Sequence, residues 1–171
     1  PEIDPALALI HRDEVIAASG EDRRAVAVGD QVVPAGPAEE GVIAGRADQR
    51  VAPAVQSGVT TAELEAIVVD TLKEFGALAS FLGYNGFPHS ICASVNEEIV
   101  HGFPGNRVLQ EGDIIALDFG AIVDGWHGDS AWTYPVGAIS DEAARLLKDT
   151  EEALWRGVAA ARPGNRLGEI G

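Results

Sequence analysis

The alternation of apolar and polar positions is clearest from Thr60 onward, where Leu64, Ile67, Val68, Leu72 and Phe75 recur at helical spacing. That spacing makes the core-facing stripe of an amphipathic helix. Thr60 and Glu63 stand in the T-x-x-E pattern of a capping box at its start, and Gly76 is placed to close it. Residues 81–110 lose the helical period and are rich in Gly, Pro and Asn. They contain two β-prone pieces, 90–95 and 98–101, and read as strands joined by shaped loops. Residues 114–123 and 126–136 are then predicted as two strands joined by Asp124-Gly125, a dipeptide suited to a two-residue type I′ hairpin. Ser140 caps a further helix with Asp141 and Glu142 in its first turn. Ala143, Leu147, Thr150, Leu154 and Val158 make its expected inner stripe, and Pro163-Gly164 ends it.

The first 50 residues are poorly specified by contrast, with turn signals at Gly29-Asp30 and Pro34-Ala35-Gly36-Pro37 and a short helix expected over residues 5–18. The expected organisation is therefore a poorly specified segment over 1–50 and a folded domain over 51–171. One short internal repeat cuts across it. Gly58, Glu63 and Leu64 recur without a gap as Gly164, Glu169 and Ile170, each time where a loop enters a helix. The repeat implies that a second half-unit begins at the end of this sequence.

Composition narrows the function classes. The chain has 171 residues, a formal net charge of -15 and no basic cluster, which argues against nucleic acid as a partner. No apolar run reaches the roughly 18 to 20 residues of a membrane-spanning helix, so no membrane association is expected. A single cysteine, Cys92, precludes an intramolecular disulfide and fits a cytoplasmic setting.

The chemistry concentrates on the predicted hairpin. A two-residue turn pairs Val123 with Trp126 and therefore Gly120 with Asp129. Asp118 and Asp129 then point to the same face as diagonal neighbours, roughly 7 to 8 Å apart at the backbone. Two readings of this pair stand side by side. The aspartates serve turns or face solvent, or they converge on a divalent cation that removes the cost of two like charges. Pairs of metals about 3.5 to 4 Å apart, bridged by such oxygens, activate water for hydrolysis. His127 shares the parity of Asp129, with a structural hydrogen bond preferred to ligation. Asp113 and Asp124 sit beside glycines at turns and carry no chemistry. On the residues alone, Phe81, Phe87 and Cys92 read as core and His101 as a structural histidine.

The motifs shift that balance. Phe81-Leu-Gly-Tyr84-Asn-Gly-Phe87-Pro, Ser90-Ile-Cys92-Ala-Ser-Val-Asn-Glu97, His101-Gly-Phe-Pro104, Glu111-Gly-Asp-Ile and Asp118-Phe-Gly through Asp124-Gly-Trp-His-Gly-Asp129 occur in order along the chain. This run resembles the type I methionine aminopeptidases. The resemblance implies an α/β (α+β) pita-bread fold, here only its N-terminal half, and removal of N-terminal methionine from peptides or nascent proteins. It implies two divalent metal ions per site, drawn from Co, Mn, Fe, Ni or Zn. By position, Asp118 and Asp129 match metal ligands, and His101 matches a catalytic residue that contacts substrate. Phe81, Tyr84, Phe87 and Cys92 match the lining of the methionine pocket.

Two departures accompany the resemblance. The family's three further ligands, one His and two Glu, and a second substrate-contacting His belong to a second half absent from these residues. Asn85 stands where the family usually has His. Two other readings follow: a proline-specific relative, and a pita-bread pseudoenzyme that only binds peptides or protein partners. A lone half is expected to expose an apolar face and to self-associate through it.

Overall fold

The computed structural model describes residues 25–28, 31–34 and 39–171. The helix expected over 5–18 and the turn dipeptide Gly29-Asp30 lie outside the described residues, as do Ala35, Gly36 and Pro37. Strands β1 (Ala25–Val28) and β2 (Gln31–Pro34) pair antiparallel with Val28 opposite Gln31. Helix α1 (Glu39–Val51) follows and was not among the expected elements. Its buried positions, Ile43, Ala44, Ala47 and Val51, are spaced for one helical face. Two of them are alanines, so the stripe carries little hydrophobic contrast in sequence.

Helix α2 (Thr61–Glu74) matches expectation at both ends. Thr60 and Glu63 form the reciprocal capping box, the Thr60 N–H donating to Glu63 Oε2 at 2.7 Å and the Glu63 N–H to Thr60 Oγ1 at 3.2 Å. Gly76 has φ +68°, and the Ala77 N–H donates to the Leu72 carbonyl at 2.9 Å, the bond that wraps the last turn of a helix.

A second sheet carries the site. It contains β3 (Leu78–Ala79), β4 (Ile91–Val95), β5 (Ile114–Val123) and β6 (Trp126–Pro135). The long strand β5 is its spine, with β6 along one edge and β3 and β4 in succession along the other, all antiparallel. Asp124 and Gly125 have φ +50° and +84°, the two left-handed residues that a type I′ turn requires. One face of the sheet packs on α1 and α2: Ile115, Leu117, Phe119 and Ala121 of β5 are fully buried there with Ala47, Val51, Leu64, Val68 and Leu72. The opposite face carries Asp118.

Two expectations are corrected. Residues 98–101 form no strand. Glu98 exchanges hydrogen bonds with the backbone of Val95, its carboxylate accepting the Val95 N–H at 2.8 Å, and His101 turns to φ +59°. Local side-chain-to-backbone bonding overrides the β-propensity of Ile99 and Val100, which are left exposed. Helix α3 (Asp141–Ala160) forms and is capped by Ser140 Oγ, which accepts the Ala143 N–H, yet none of its residues is buried. Of its expected stripe, Thr150 and Leu154 are exposed, and Ala143, Leu147 and Val158 are half-buried. The described residues offer it no core to enter.

The internal repeat is realised in the backbone. Gly58 and Gly164 have φ +94° and +95°, and the capping residues Thr60 and Arg166 share φ/ψ of -88°/153° and -90°/153°. Glu169 accepts the Arg166 N–H at 2.7 Å, as Glu63 accepts that of Thr60. Among the described residues, no helix is long and apolar enough to cross a membrane.

Candidate functional site

The register of the hairpin is the expected one: Val123 opposes Trp126 and Gly120 opposes Asp129. Asp118 lies opposite Ala131 on β6 and opposite Cys92 on β4. Facing residues in a ladder share a face, so Cys92, Asp118 and Asp129 stand together on the face turned away from the helices. Their electrostatics show the proximity. The Asp118 carboxyl is pushed up to about 6, first by burial and then by the charge and hydrogen bonding of Asp129, with His101 pulling the other way. The Cys92 thiol is pushed up to about 11 by burial and by the charges of Asp118 and Asp129. It is therefore a neutral, apolar group at ordinary pH.

His101 is held by its neighbour. The Gly102 carbonyl accepts the Ala93 N–H at 2.8 Å, and the Gly102 N–H donates to Ser94 Oγ at 3.1 Å, tying the loop to the outer edge of β4. His101 itself is exposed and within electrostatic reach of Asp118. Phe87 is half-buried and meets Phe103 edge-on, with ring centroids 5.2 Å apart and planes at 81°. His89 lies against both rings, at 6.2 and 5.5 Å. Phe81 is half-buried, whereas Tyr84 is 70% exposed and open to solvent. Asn85 sits beside it with φ +47° in the 3₁₀ turn Tyr84–Gly86.

His127 shares the open face but is exposed, and the structural hydrogen bond preferred from sequence is not formed: among the described residues its ring has no hydrogen-bond partner. Asp113 serves its turn as expected, accepting from Asn96 and from the Gln110 N–H, both at 2.8 Å.

Three contributors were missed in sequence. Phe103 lies inside the His101-Gly-Phe-Pro104 run but carried no assigned role. His89 and Glu65 form a clamp: Glu65 accepts the Ser90 N–H at 2.7 Å and lies 3.1 Å from His89 Nδ1, fixing the start of β4. Glu65 was hidden among the acidic surface positions of α2, and only the three-dimensional register reveals it.

Among the described residues no set of three or more His, Cys, Asp or Glu side chains gathers as a metal cluster. The pair itself fits a divalent cation. Its oxygen donors are hard, one carboxyl is half-buried, and the mutual repulsion that raises Asp118 is what a shared cation would relieve.

Comparison with known proteins identifies the lineage. The model of metallopeptidase family M24 matches residues 38–171. The chain belongs to that family. The family domain thus takes in α1 as well as everything after it. Among curated relatives, methionine aminopeptidase 1 of Bacillus subtilis is 52% identical over 132 residues, which cover 77% of this chain and 53% of the relative. The crystal structure of methionine aminopeptidase from Thermotoga maritima superposes with a TM-score of 0.76 at 35% identity, again over 77% of this chain and 53% of that one. An Xaa-Pro dipeptidase from Bacillus anthracis shares the fold less closely, with a TM-score of 0.61 at 27% identity over 70% of this chain and 32% of its own. The chain therefore has the pita-bread type of fold over about half the length of the curated relatives it matches, and the likeness runs to the methionine type ahead of the proline type.

Proposed function

We propose that this M24 chain supplies the Asp118–Asp129 part of a divalent-metal aminopeptidase site that removes methionine from peptide and nascent-protein N-termini. The convergence of Asp118 and Asp129 on one open sheet face carries the reading. It is supported by 52% identity to a methionine aminopeptidase in the same stretch of chain. When bound, Mn, Fe, Co, Ni or Zn would supply Lewis-acid activation of water and of the scissile carbonyl.

The chain's own residues do the rest. Asp118, half-buried, and Asp129, exposed on the same face, hold the cations between their carboxylate oxygens. His101, on its loop tied to β4, donates a hydrogen bond where negative charge develops on the substrate oxygen. Cys92, neutral and buried, forms an apolar floor beside the aspartates. Phe81, Tyr84 and Phe87 receive the methionine side chain, and Phe103, edge-on to Phe87, extends that wall. A thioether against aromatic edges gains roughly 0.3–1.5 kcal/mol, which favours methionine over a plain aliphatic.

The test combines calorimetric Mn²⁺ binding with release of methionine from a Met-Ala-Ser peptide. Cation binding is expected to be lost in Asp118→Asn and in Asp129→Asn, and any methionine release to require the cation and both carboxylates. Release that survives either substitution overturns the ligand roles. Equal release from a Leu-Ala-Ser peptide overturns the specificity.

A further inference from the structure

Ser80 follows directly on β3, and its Oγ is the only buried side-chain N or O atom without a hydrogen-bond partner among the described residues. A buried hydroxyl in that state is costly and calls for an explanation. Its surroundings supply one. The Ser80 N–H donates to the Gly120 carbonyl at 3.0 Å. This continues the pairing of Leu78 with Ile122 and Ala79 with Ala121 by one step, so that Ser80 lies opposite Gly120. On the other side of β5, Gly120 lies opposite Asp129. Ser80, Gly120 and Asp129 thus form one row across the open face, beside the row of Cys92, Asp118 and Ala131.

The middle of the Ser80 row has no side chain, and the serine occupies the space. A Cβ built on Gly120 would lie 2.7 Å from Ser80 Oγ and 2.8 Å from Ser80 Cβ. The hydroxyl therefore overlies Gly120. Facing Cβ positions in such a ladder are about 4.5–5.5 Å apart, a gap that one carboxylate arm spans.

We infer that Ser80 is a positioning residue for the cation site: its hydroxyl, unpaired in the metal-free chain, donates a hydrogen bond to the Asp129 carboxylate when a cation is bound and holds that group on the cation. The inference rests on the reading of Asp118 and Asp129 as cation ligands. Ligating carboxylates are oriented by outer hydrogen-bond donors. Ser80 is a buried donor with an uncommitted proton in the same row. Gly120 is then required for a second reason besides its place in the strand, since any side chain there would evict the hydroxyl.

The experiment measures Mn²⁺ affinity by calorimetry and melting temperature without metal for the full chain and for Ser80→Ala, Ser80→Cys and Asp129→Asn. Ser80→Ala is expected to bind Mn²⁺ roughly tenfold more weakly, and Ser80→Cys, similar in size but a poorer donor, to fall between it and the parent. Without metal, Ser80→Ala is expected to melt no lower than the parent, because it removes an unpaired buried hydroxyl. This opposition of sign separates positioning from packing. Parent-like affinity in Ser80→Ala, with binding lost in Asp129→Asn, overturns the role of Ser80 and leaves the cation reading intact. A lowered metal-free melting temperature in Ser80→Ala marks a packing residue and also overturns it. A parent chain that binds no Mn²⁺, or an Asp129→Asn chain that binds it normally, overturns the cation reading and this inference together.

Discussion

Substituting Gly102 by alanine tests whether the His101 loop is held by direct backbone contact with β4. The backbone of Gly102 is not left-handed, so conformation is no obstacle to alanine; space is. A Cβ there would lie 2.3 Å from the Ala93 carbonyl oxygen, 2.9 Å from its carbon and 3.0 Å from Ser94 Cα, all main-chain atoms. Strand β4 cannot retreat, because every residue from Ile91 to Val95 is buried and paired with β5. The loop must instead move by about an ångström to restore ordinary contact. That movement stretches two hydrogen bonds, Ala93 N–H to the Gly102 carbonyl and Gly102 N–H to Ser94 Oγ. Each contributes about 1 kcal/mol, and residual crowding costs about 1–3 kcal/mol more. A total of about 3–5 kcal/mol would lower the urea midpoint by about 1.5–2.5 M, for a slope of about 2 kcal/mol/M. Mn²⁺ affinity should hold, since Asp118 and Asp129 stand on β5 and β6. Any peptide turnover that depends on His101 should fall about 100-fold, the usual cost of an ångström's misplacement. A midpoint shift under about 0.25 M would refute the packing argument.

Two further outcomes are expected. Thr60→Ala removes the hydroxyl that accepts the Glu63 N–H and should cost about 1 kcal/mol, read by chemical denaturation; no change would show that the exposed cap contributes nothing. The metal-free chain should lose stability as pH rises from about 4 to about 6. Over that window the folded Asp118 carboxyl, raised from 3.8 to about 6 first by burial and then by Asp129, holds a proton that the unfolded chain has released. Asp118→Asn should flatten that slope, and an unchanged slope would place the titration elsewhere.

What was legible in the sequence was whatever short-range geometry determines. Asp124-Gly125 fixes a turn, the turn fixes the register, and the register fixes which face Asp118 and Asp129 share. The T-x-x-E box and Gly76 fixed both ends of α2 in the same way. What depended on distant neighbours was not legible. Ile99 and Val100 have the composition of a strand but meet no partner, and a turn built on Glu98 prevails. Helix α3 has an apolar stripe, but only packing decides whether a stripe is buried. Helix α1 escaped notice because alanines fill its buried face. At the site, Glu65 and Ser80 act through pairings that sequence spacing does not display: the first reaches from a helix to the start of a strand, and the second lies across a ladder from a glycine.

The hairpin also bears on the order in which the site comes together. Asp118 and Asp129 are eleven residues apart, joined by a turn of two residues. Hairpins of this kind close in about 1–10 μs, a timescale set by local chain diffusion and not by collapse of the whole domain. The carboxylate pair is thus among the earliest tertiary features the chain can make, while His101 and Cys92 reach it only once β4 has found β5 across a longer loop. A cation captured by the nascent pair would favour the paired hairpin over the open chain, so that metal availability would influence folding as well as chemistry.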